Sequence, residues 1–105
     1  MTGIVTVYAT FAGPEEAERI ARILVEERLA ACANILGPCR SIYRWQGAVE
    51  TAGEVAALFK TAAESAPDLV ARLAGLHSYD VPAAVVWPIS DAGAAYREWV
   101  LNSTG

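Results

Sequence analysis

The sequence is short of charge, of histidine and of cysteine, and each shortage excludes a class of protein. Charged residues make up 19% of the 105 residues, against a usual share of about 25%. The eight Lys and Arg residues are scattered rather than gathered into a basic stripe, so nucleic acid and anionic membranes are not expected partners. Cys32 and Cys39 are too few for a disulfide framework, and no CxxC or HxxxH pair is present to hold zinc.

Long apolar runs, basic leader segments and catalytic sets are also missing. No stretch approaches the roughly 20 apolar residues that cross a bilayer, and Met1 to Thr6 has no basic region. We therefore expect a cytoplasmic protein whose cysteines stay reduced. His77, the only histidine, has no evident Ser or Cys partner, so we do not expect an enzyme.

What the sequence does have is apolar residues, which make up 54% of the chain. With so little polar material to cover a small body, some apolar surface should be buried between subunits. No repeat, low-complexity tract or linker interrupts the chain, so residues 1–105 are read as one domain. The expectation is a single-domain homo-oligomer.

Alternation and helical periodicity predict seven elements. Gly37-Pro38 should bend a long strand, Gln46-Gly47 should form a tight turn, and Ser65 with Asp68 should cap a helix. The expected elements are a strand (4–10), a helix (14–28), a long strand (29–45), a second long strand (48–61), a helix from 66 with Leu69, Leu73 and Leu76 inward, a buried strand (81–89) and a short helix (92–101).

This order is the α+β ferredoxin-like arrangement, βαββαβ, with a long β2-β3 hairpin and a short C-terminal helix added. Both longer helices should cover one face of an antiparallel sheet. The other face, which carries apolar residues of the hairpin, has no helix over it. Another subunit is its expected cover.

Six segments along the chain form a combination that is specific as a set. They are Glu15-Glu16-Ala17, residues 24–35, Ser41-Ile42-Tyr43-Arg44-Trp45-Gln46-Gly47, Lys60-Thr61, Leu76-His77-Ser78-Tyr79-Asp80-Val81-Pro82 and Tyr96-Arg97-Glu98-Trp99. Together they resemble the CutA family from about residue 4 to residue 104. The resemblance implies a ferredoxin-like homotrimer held by strand pairing between subunits, a cytoplasmic location in bacteria, and a role in tolerance of divalent metals, copper especially.

The chain departs from the family pattern at positions that bear on metal. Where the family usually reads His-Pro-Tyr-Glu-Val-Pro-Glu, this chain has Ser78, Asp80 and Ala83, so one carboxylate is kept and one is lost. Some members carry a cysteine in the first strand that has been proposed as a copper ligand. This chain has Ala9 there.

The metal hypothesis rests on His77, Asp80 and Cys39 binding Cu²⁺ weakly, within one subunit or across a boundary. The alternative for His77 is a cap on the helix that precedes it. Cys39, in a bend, is otherwise a merely exposed thiol, and Cys32 is expected to be a small buried hydrophobe.

Five further residues are assigned to a trimer interface or a ligand cleft: Tyr43, Arg44, Trp45, Lys60 and Tyr79. Aromatic rings beside a guanidinium are typical interface anchors. Lys60 interrupts an apolar strand and needs a partner, either a salt bridge to Asp80 or Glu98 or a bound anion.

The function predicted from these features is that of a cytoplasmic homotrimer involved in divalent metal ion tolerance. One alternative is a trimeric small-molecule sensor of the PII type, although no Gly-rich phosphate loop is present. Another is a scaffold that binds a second protein.

Overall fold

A computed structural model describes all residues, 1–105. Four strands pair in an antiparallel sheet of order β2-β3-β1-β4. The predicted ferredoxin-like order is therefore confirmed. The elements are β1 (Ile4–Phe11), α1 (Pro14–Glu26), β2 (Cys32–Trp45), β3 (Ala48–Ala62), a 3₁₀ turn (Ala63–Ser65), α2 (Ala66–Leu76), β4 (Ala84–Pro88) and α3 (Ala94–Asn102). None of the helices combines the length and the apolar character needed to cross a bilayer.

Helices α1 and α2 cover one face of this sheet. Successive strand side chains point to opposite faces, so every second residue of β1 and β3 enters this core. Phe11 and Phe59 meet edge to face with ring centroids 6.4 Å apart. The helices contribute inward side chains that are fully buried, among them Ile20, Leu24, Leu69 and Leu73.

The opposite face of the sheet, called the open face below, is covered only at one end. There α3 packs Val100 against Ile4 and Ala31. Farther along, Tyr8 stacks on Trp87 with centroids 5.2 Å apart, and Trp87 is 46% exposed. The expectation that this face has no helix over it thus holds only beyond α3.

Strand β4 corrects the prediction of a buried strand over 81–89. It spans only Ala84–Pro88 and lies at the sheet edge, paired with β1 alone. Val85 and Val86 are 46% and 40% exposed. The preceding segment stays irregular because Pro82 has no N–H to donate to a ladder, and an edge position leaves one side of the strand without a neighbour.

The β2-β3 hairpin is long and projects from the body, giving the chain a largest dimension of 44 Å. Its pairing register shifts between Ile35 and Gly37, which confirms the predicted irregularity near Gly37-Pro38 as a β-bulge. Gln46 and Gly47 have φ of 50° and 83°, as a type I′ turn requires. Residues 42–50 at its tip are all exposed.

The predicted cap of α2 is not formed. Ser65 makes no side-chain bond to the helix. It belongs to the 3₁₀ turn that precedes α2 and has helical φ and ψ of −88° and −14°, whereas a capping residue normally has extended ones. The first turn of α2 depends instead on Pro67 and Asp68.

Candidate functional site

A groove of about 680 Å³ lies beside the hairpin, between β1, β2, β3 and the segment that follows α2. Five of the predicted site residues line it: Tyr43, Arg44, Trp45, Tyr79 and Asp80. The other lining residues are Tyr8, Thr10, Ser41, Glu50, Glu54, Val81 and Ala83. The predicted residues His77, Cys39 and Lys60 are not among them. We call this site the hairpin groove.

His77 lies behind the groove and is only 9% exposed. Its Nε2 is 2.8 Å from the carbonyl oxygen of Thr10, and its Nδ1 accepts the backbone N–H of Tyr79 at 3.1 Å. This pair of bonds assigns the ring proton to Nε2. Both nitrogens are therefore engaged, and a metal could bind this ring only after one hydrogen bond broke.

The alternative role of His77 as a helix cap also takes a different form. Its backbone N–H bonds to Leu73 O at 3.0 Å and closes the last turn of α2, but the ring bonds to β1 rather than to helix carbonyls. The ring also stacks on Phe11 with centroids 5.0 Å apart. The side chain therefore joins the end of α2 to β1.

Glu16 fixes the same loop from α1. Its carboxylate accepts the backbone N–H of Ser78 at 2.8 Å and that of Ala12 at 3.3 Å. Burial alone would raise the pKa of Glu16, but the hydrogen bonds from Ser78 and Ala12 outweigh it and hold the pKa below its usual value. The loop that leads into the groove is thus held by hydrogen bonds at consecutive residues.

Tyr79 enters the groove and donates its hydroxyl proton to Glu54 at 2.8 Å. Burial, and next this bond to Glu54, raise the pKa of Tyr79 to about 12. The phenol is therefore neutral at physiological pH, and the negative charge in the groove belongs to its carboxylates.

The structure does not bring the three predicted copper ligands together. His77 is saturated behind the groove, and Asp80 is exposed in the groove lining. Cys39 lies on β2 opposite Glu54. No group of three or more His, Cys, Asp or Glu side chains within the chain is placed to hold a metal ion.

The predicted salt bridge of Lys60 to Asp80 or Glu98 is wrong. Lys60 instead donates to the Asn34 side-chain oxygen at 2.6 Å across the hairpin, because both side chains lie on the open face where β2 pairs with β3. The two ion pairs of the chain lie elsewhere, at Arg22–Glu18 and Arg72–Glu27.

Cys32 is half-buried rather than fully buried. Its Sγ lies 3.4 Å from the Tyr96 hydroxyl on α3. Burial, and then this bond to Cys32, raise the pKa of Tyr96 to about 12.

Sequence reasoning did not assign seven of the lining residues to the site, and four of them carry aromatic, hydroxyl or carboxylate groups: Tyr8, Thr10, Glu50 and Glu54. For Glu50 and Glu54 the sequence did contain a signal. The Gln46-Gly47 turn fixes the hairpin register, which places Glu50 opposite Tyr43 and Glu54 opposite Cys39. Tyr8 and Thr10 enter through the β1-β3 pairing, which no local pattern specifies.

The family model described as CutA1 divalent ion tolerance protein matches residues 5–103. The divalent-cation tolerance protein CutA of Thermus thermophilus is 44% identical over 99 residues, which cover 94% of this chain and 96% of that protein. Human protein CutA is 34% identical over 92% of this chain and 54% of its own length.

Solved structures agree in fold as well as in sequence. The CutA crystal structure from Xylella fastidiosa superposes with a TM-score of 0.95 at 36% identity, covering 98% of this chain and 99% of that one. The Thermus thermophilus protein gives a TM-score of 0.94 at 43% identity, covering 97% and 99%. A family model over nearly the whole chain and relatives of this identity agree, and the chain belongs to the CutA1 divalent ion tolerance family.

Proposed function

We propose that this protein serves tolerance of divalent metal ions as a cytoplasmic homotrimer that binds the ion weakly and has no catalytic role. Family membership supports the link to divalent ions, since relatives along the whole chain carry that name. The location is proposed from the sequence alone; among relatives, a rice protein is named chloroplastic and an Archaeoglobus fulgidus structure periplasmic.

The observation that carries the assembly is the apolar surface of the open face and hairpin. Large apolar side chains that are 40–74% exposed in the single subunit include Ile42, Tyr43, Trp45, Val49, Val85 and Trp87. A monomer rarely leaves so many large apolar groups in water on neighbouring strands. Neighbouring subunits are the cover we propose, with strand edges β2 and β4 available for pairing.

Assembly is tested by light scattering coupled to size exclusion, which should report three subunits. Trp45→Ala should weaken association by about 2–4 kcal/mol if the indole is a central anchor. Val25→Ala, on the outer side of α1, is the matched control and should leave the trimer intact. A monodisperse monomer of the wild-type protein at micromolar concentration would contradict the trimer.

Weak binding of the metal follows from the dispersed ligands. Since the three side chains do not meet within one chain, we propose that assembly joins Asp80 of one subunit to His77 and Cys39 of a neighbouring one. Binding of Cu²⁺ to the His77 ring breaks one of its two hydrogen bonds, which keeps the affinity low. Because copper requires a neutral imidazole and an unprotonated thiol, binding should weaken as the pH falls.

Titration calorimetry with Cu²⁺ on the wild type, His77→Ala, Cys39→Ser and Asp80→Asn proteins tests this ligand set. Each substitution should reduce affinity. The oligomeric state of each variant is the control, because His77 also joins α2 to β1. If His77→Ala stays trimeric and binds copper with unchanged affinity and pH dependence, the ring is structural only.

A small-molecule sensor is the second candidate, and the hairpin groove is the observation that favours it. Its volume is within the range of about 300–1,000 Å³ usual for ligand sites.

A further inference from the structure

We propose that residues 99–105 form a strap that opens and closes independently of the core, and that the Arg28 side chain is the clasp that holds the strap closed. The strap comprises the last turn of α3 and the residues that follow it. All contacts of the clasp lie within one chain, so its closure requires neither a metal ion nor a particular number of subunits.

Arg28 makes three hydrogen bonds to the strap. Its Nε donates to the backbone oxygen of Gly105 and its Nη2 donates to that of Asn102, both at 2.9 Å. Its own carbonyl oxygen accepts the Gly105 N–H at 3.1 Å. Arg28 takes part in neither ion pair of the chain, so its charge is directed at the strap alone. Hydrogen bonds from a guanidinium are stronger than those between neutral groups.

The backbone of Arg28 is strained. It has φ of 62°, in the left-handed region that is unfavourable for a residue with a Cβ. This conformation ends α1, where the Arg28 N–H bonds to Val25 O and the Leu29 N–H bonds to Leu24 O, both at 3.0 Å. Glycine usually takes such a position, but glycine could not reach the strap. The strained arginine therefore indicates a role for its side chain beyond the turn.

Helix α3 has few contacts of its own to hold its last turn. Val100 is its one buried residue, whereas α1 has four buried residues and α2 has three. No basic residue lies in the last turn of α3, although the free carbonyl groups and the helix dipole favour a cation there. The Arg28 guanidinium supplies that cation from another element. Segments with so little buried apolar surface are the ones that open locally.

The first half of α3 has a separate tie. Arg97 donates its Nε to the backbone oxygen of Thr2, and its own N–H closes the first turn of the helix. Opening of the strap leaves this turn in place and withdraws Val100 from the small cluster that it forms with Ile4 and Ala31.

The clasp lies at the end of the sheet away from the hairpin tip. Strand β2 begins at Cys32, shortly after Arg28, and runs 14 residues to Trp45 at the tip. Arg28, Asn102 and Gly105 are exposed. None of the three belongs to the apolar surface assigned above to contacts between subunits, so the clasp is compatible with that assembly.

Amide hydrogen exchange of the assembled protein, followed by NMR, measures opening of the strap. The reporting amides are those of Ser103 and Gly105, which bond to backbone oxygens only when the strap is closed. In the wild type they should exchange faster than the amides of β1 and β3. Arg28→Ala keeps the Cβ, and therefore the strain, and should speed exchange of both amides by about tenfold. Exchange at Arg97 should change by less than about twofold.

Arg28→Gly separates the side chain from the turn, because it removes the guanidinium and also relieves the strained φ. The two strap amides should again exchange about tenfold faster than in the wild type, while the Leu29 amide at the end of α1 stays protected. The matched control is Arg22→Ala, which removes the same charge from an exposed position of α1 that is paired with Glu18. It should change exchange at the strap by less than about twofold. Light scattering verifies that all variants have the same assembly.

Three results would overturn the proposal. Wild-type strap amides that exchange as slowly as those of β1 and β3 would mean that the strap opens only when the whole fold does. Unchanged exchange in Arg28→Ala would mean that the side chain holds nothing closed. Wild-type exchange at the strap in Arg28→Gly would mean that Arg28→Ala acts through the turn at the end of α1. A wild-type protein that proved monomeric would contradict the trimer and leave each of these comparisons unchanged.

Discussion

The two faces of the sheet use the same strands for different purposes. On the helix-covered face, Ala57 and Phe59 of β3 are fully buried among apolar neighbours. On the open face, their neighbours Leu58 and Lys60 are half-buried, and the same row reaches Glu54 in the groove. Alternation along one strand thus separates the residues that build the core from those that lie on the open face.

A similar contrast separates the loop after α2 from the groove it borders. In the loop, the His77 ring and the Ser78 and Tyr79 N–H groups all have partners. In the groove, Glu50 and Asp80 make no ion pair. The hydrogen bonds of the loop hold its backbone in place beside groove carboxylates that have no ion-pair partner. A preorganised binding site requires this combination of a fixed support and available polar groups.

The largest effect is expected on the covered face. Leu73→Ala should lower the free energy of unfolding by about 2–5 kcal/mol, since the side chain is fully buried between α2 and the core. Urea unfolding at a fixed protein concentration measures the change. Val25→Ala, on the exposed side of α1, should change it by about 0.5 kcal/mol or less. Equal losses in both variants would contradict the contrast between the two environments.

A smaller effect is expected from Tyr79, at the border of the groove. Its pKa is raised to about 12 from an ordinary value of about 10, so the folded protein holds the phenol proton more tightly than the unfolded chain does. This contribution, about 1–2 kcal/mol, is fully present below pH 10 and is lost as the pH rises through 12. Tyr79→Phe should remove that part of the pH dependence.

Urea unfolding of the wild type and Tyr79→Phe at pH 9, 10.5 and 11.5 measures this effect. Tyr96, whose pKa is also raised to about 12, lies at the other end of the sheet beside Cys32. Tyr96→Phe should remove a separate share, and the two losses should add because the sites share no partner. A wild-type slope retained in Tyr79→Phe would mean that the Tyr79 proton does not contribute to the pH dependence of stability.

The sequence was sufficient for features set by local chemistry. Alternation placed β1, the Gln46-Gly47 turn fixed the hairpin, and helical spacing identified Leu69 and Leu73 as inward residues. Sequence reasoning failed where the hydrogen-bond partner of a side chain lies far away along the chain. The partner of His77 is Thr10, 67 residues away, and Lys60 bonds to Asn34 through the hairpin register.

The groove was predicted only in part for the same reason. Five lining residues were predicted because they lie in the segments that resemble the family, and because aromatic and charged residues near a turn are typical of recognition surfaces. They are Tyr43, Arg44, Trp45, Tyr79 and Asp80. Thr10 and Tyr8 become groove residues only when β1 takes its place beside β3. The exposure of β4 likewise follows from its edge position, which a run of apolar residues does not reveal.

The smallest effect tests the turn that holds the groove side of the hairpin. Gly47 has φ of 83°, and a Cβ added there would meet nothing within 4 Å, so Gly47→Ala changes backbone preference and no contact. The loss should be about 1 kcal/mol. Gly53→Ala, on β3 with equally open space and no positive φ, is the matched control and should be near neutral. Urea unfolding of both variants measures the two free energies of unfolding. Equal values would mean that the turn conformation does not fix the hairpin register, which sets Tyr43 opposite Glu50.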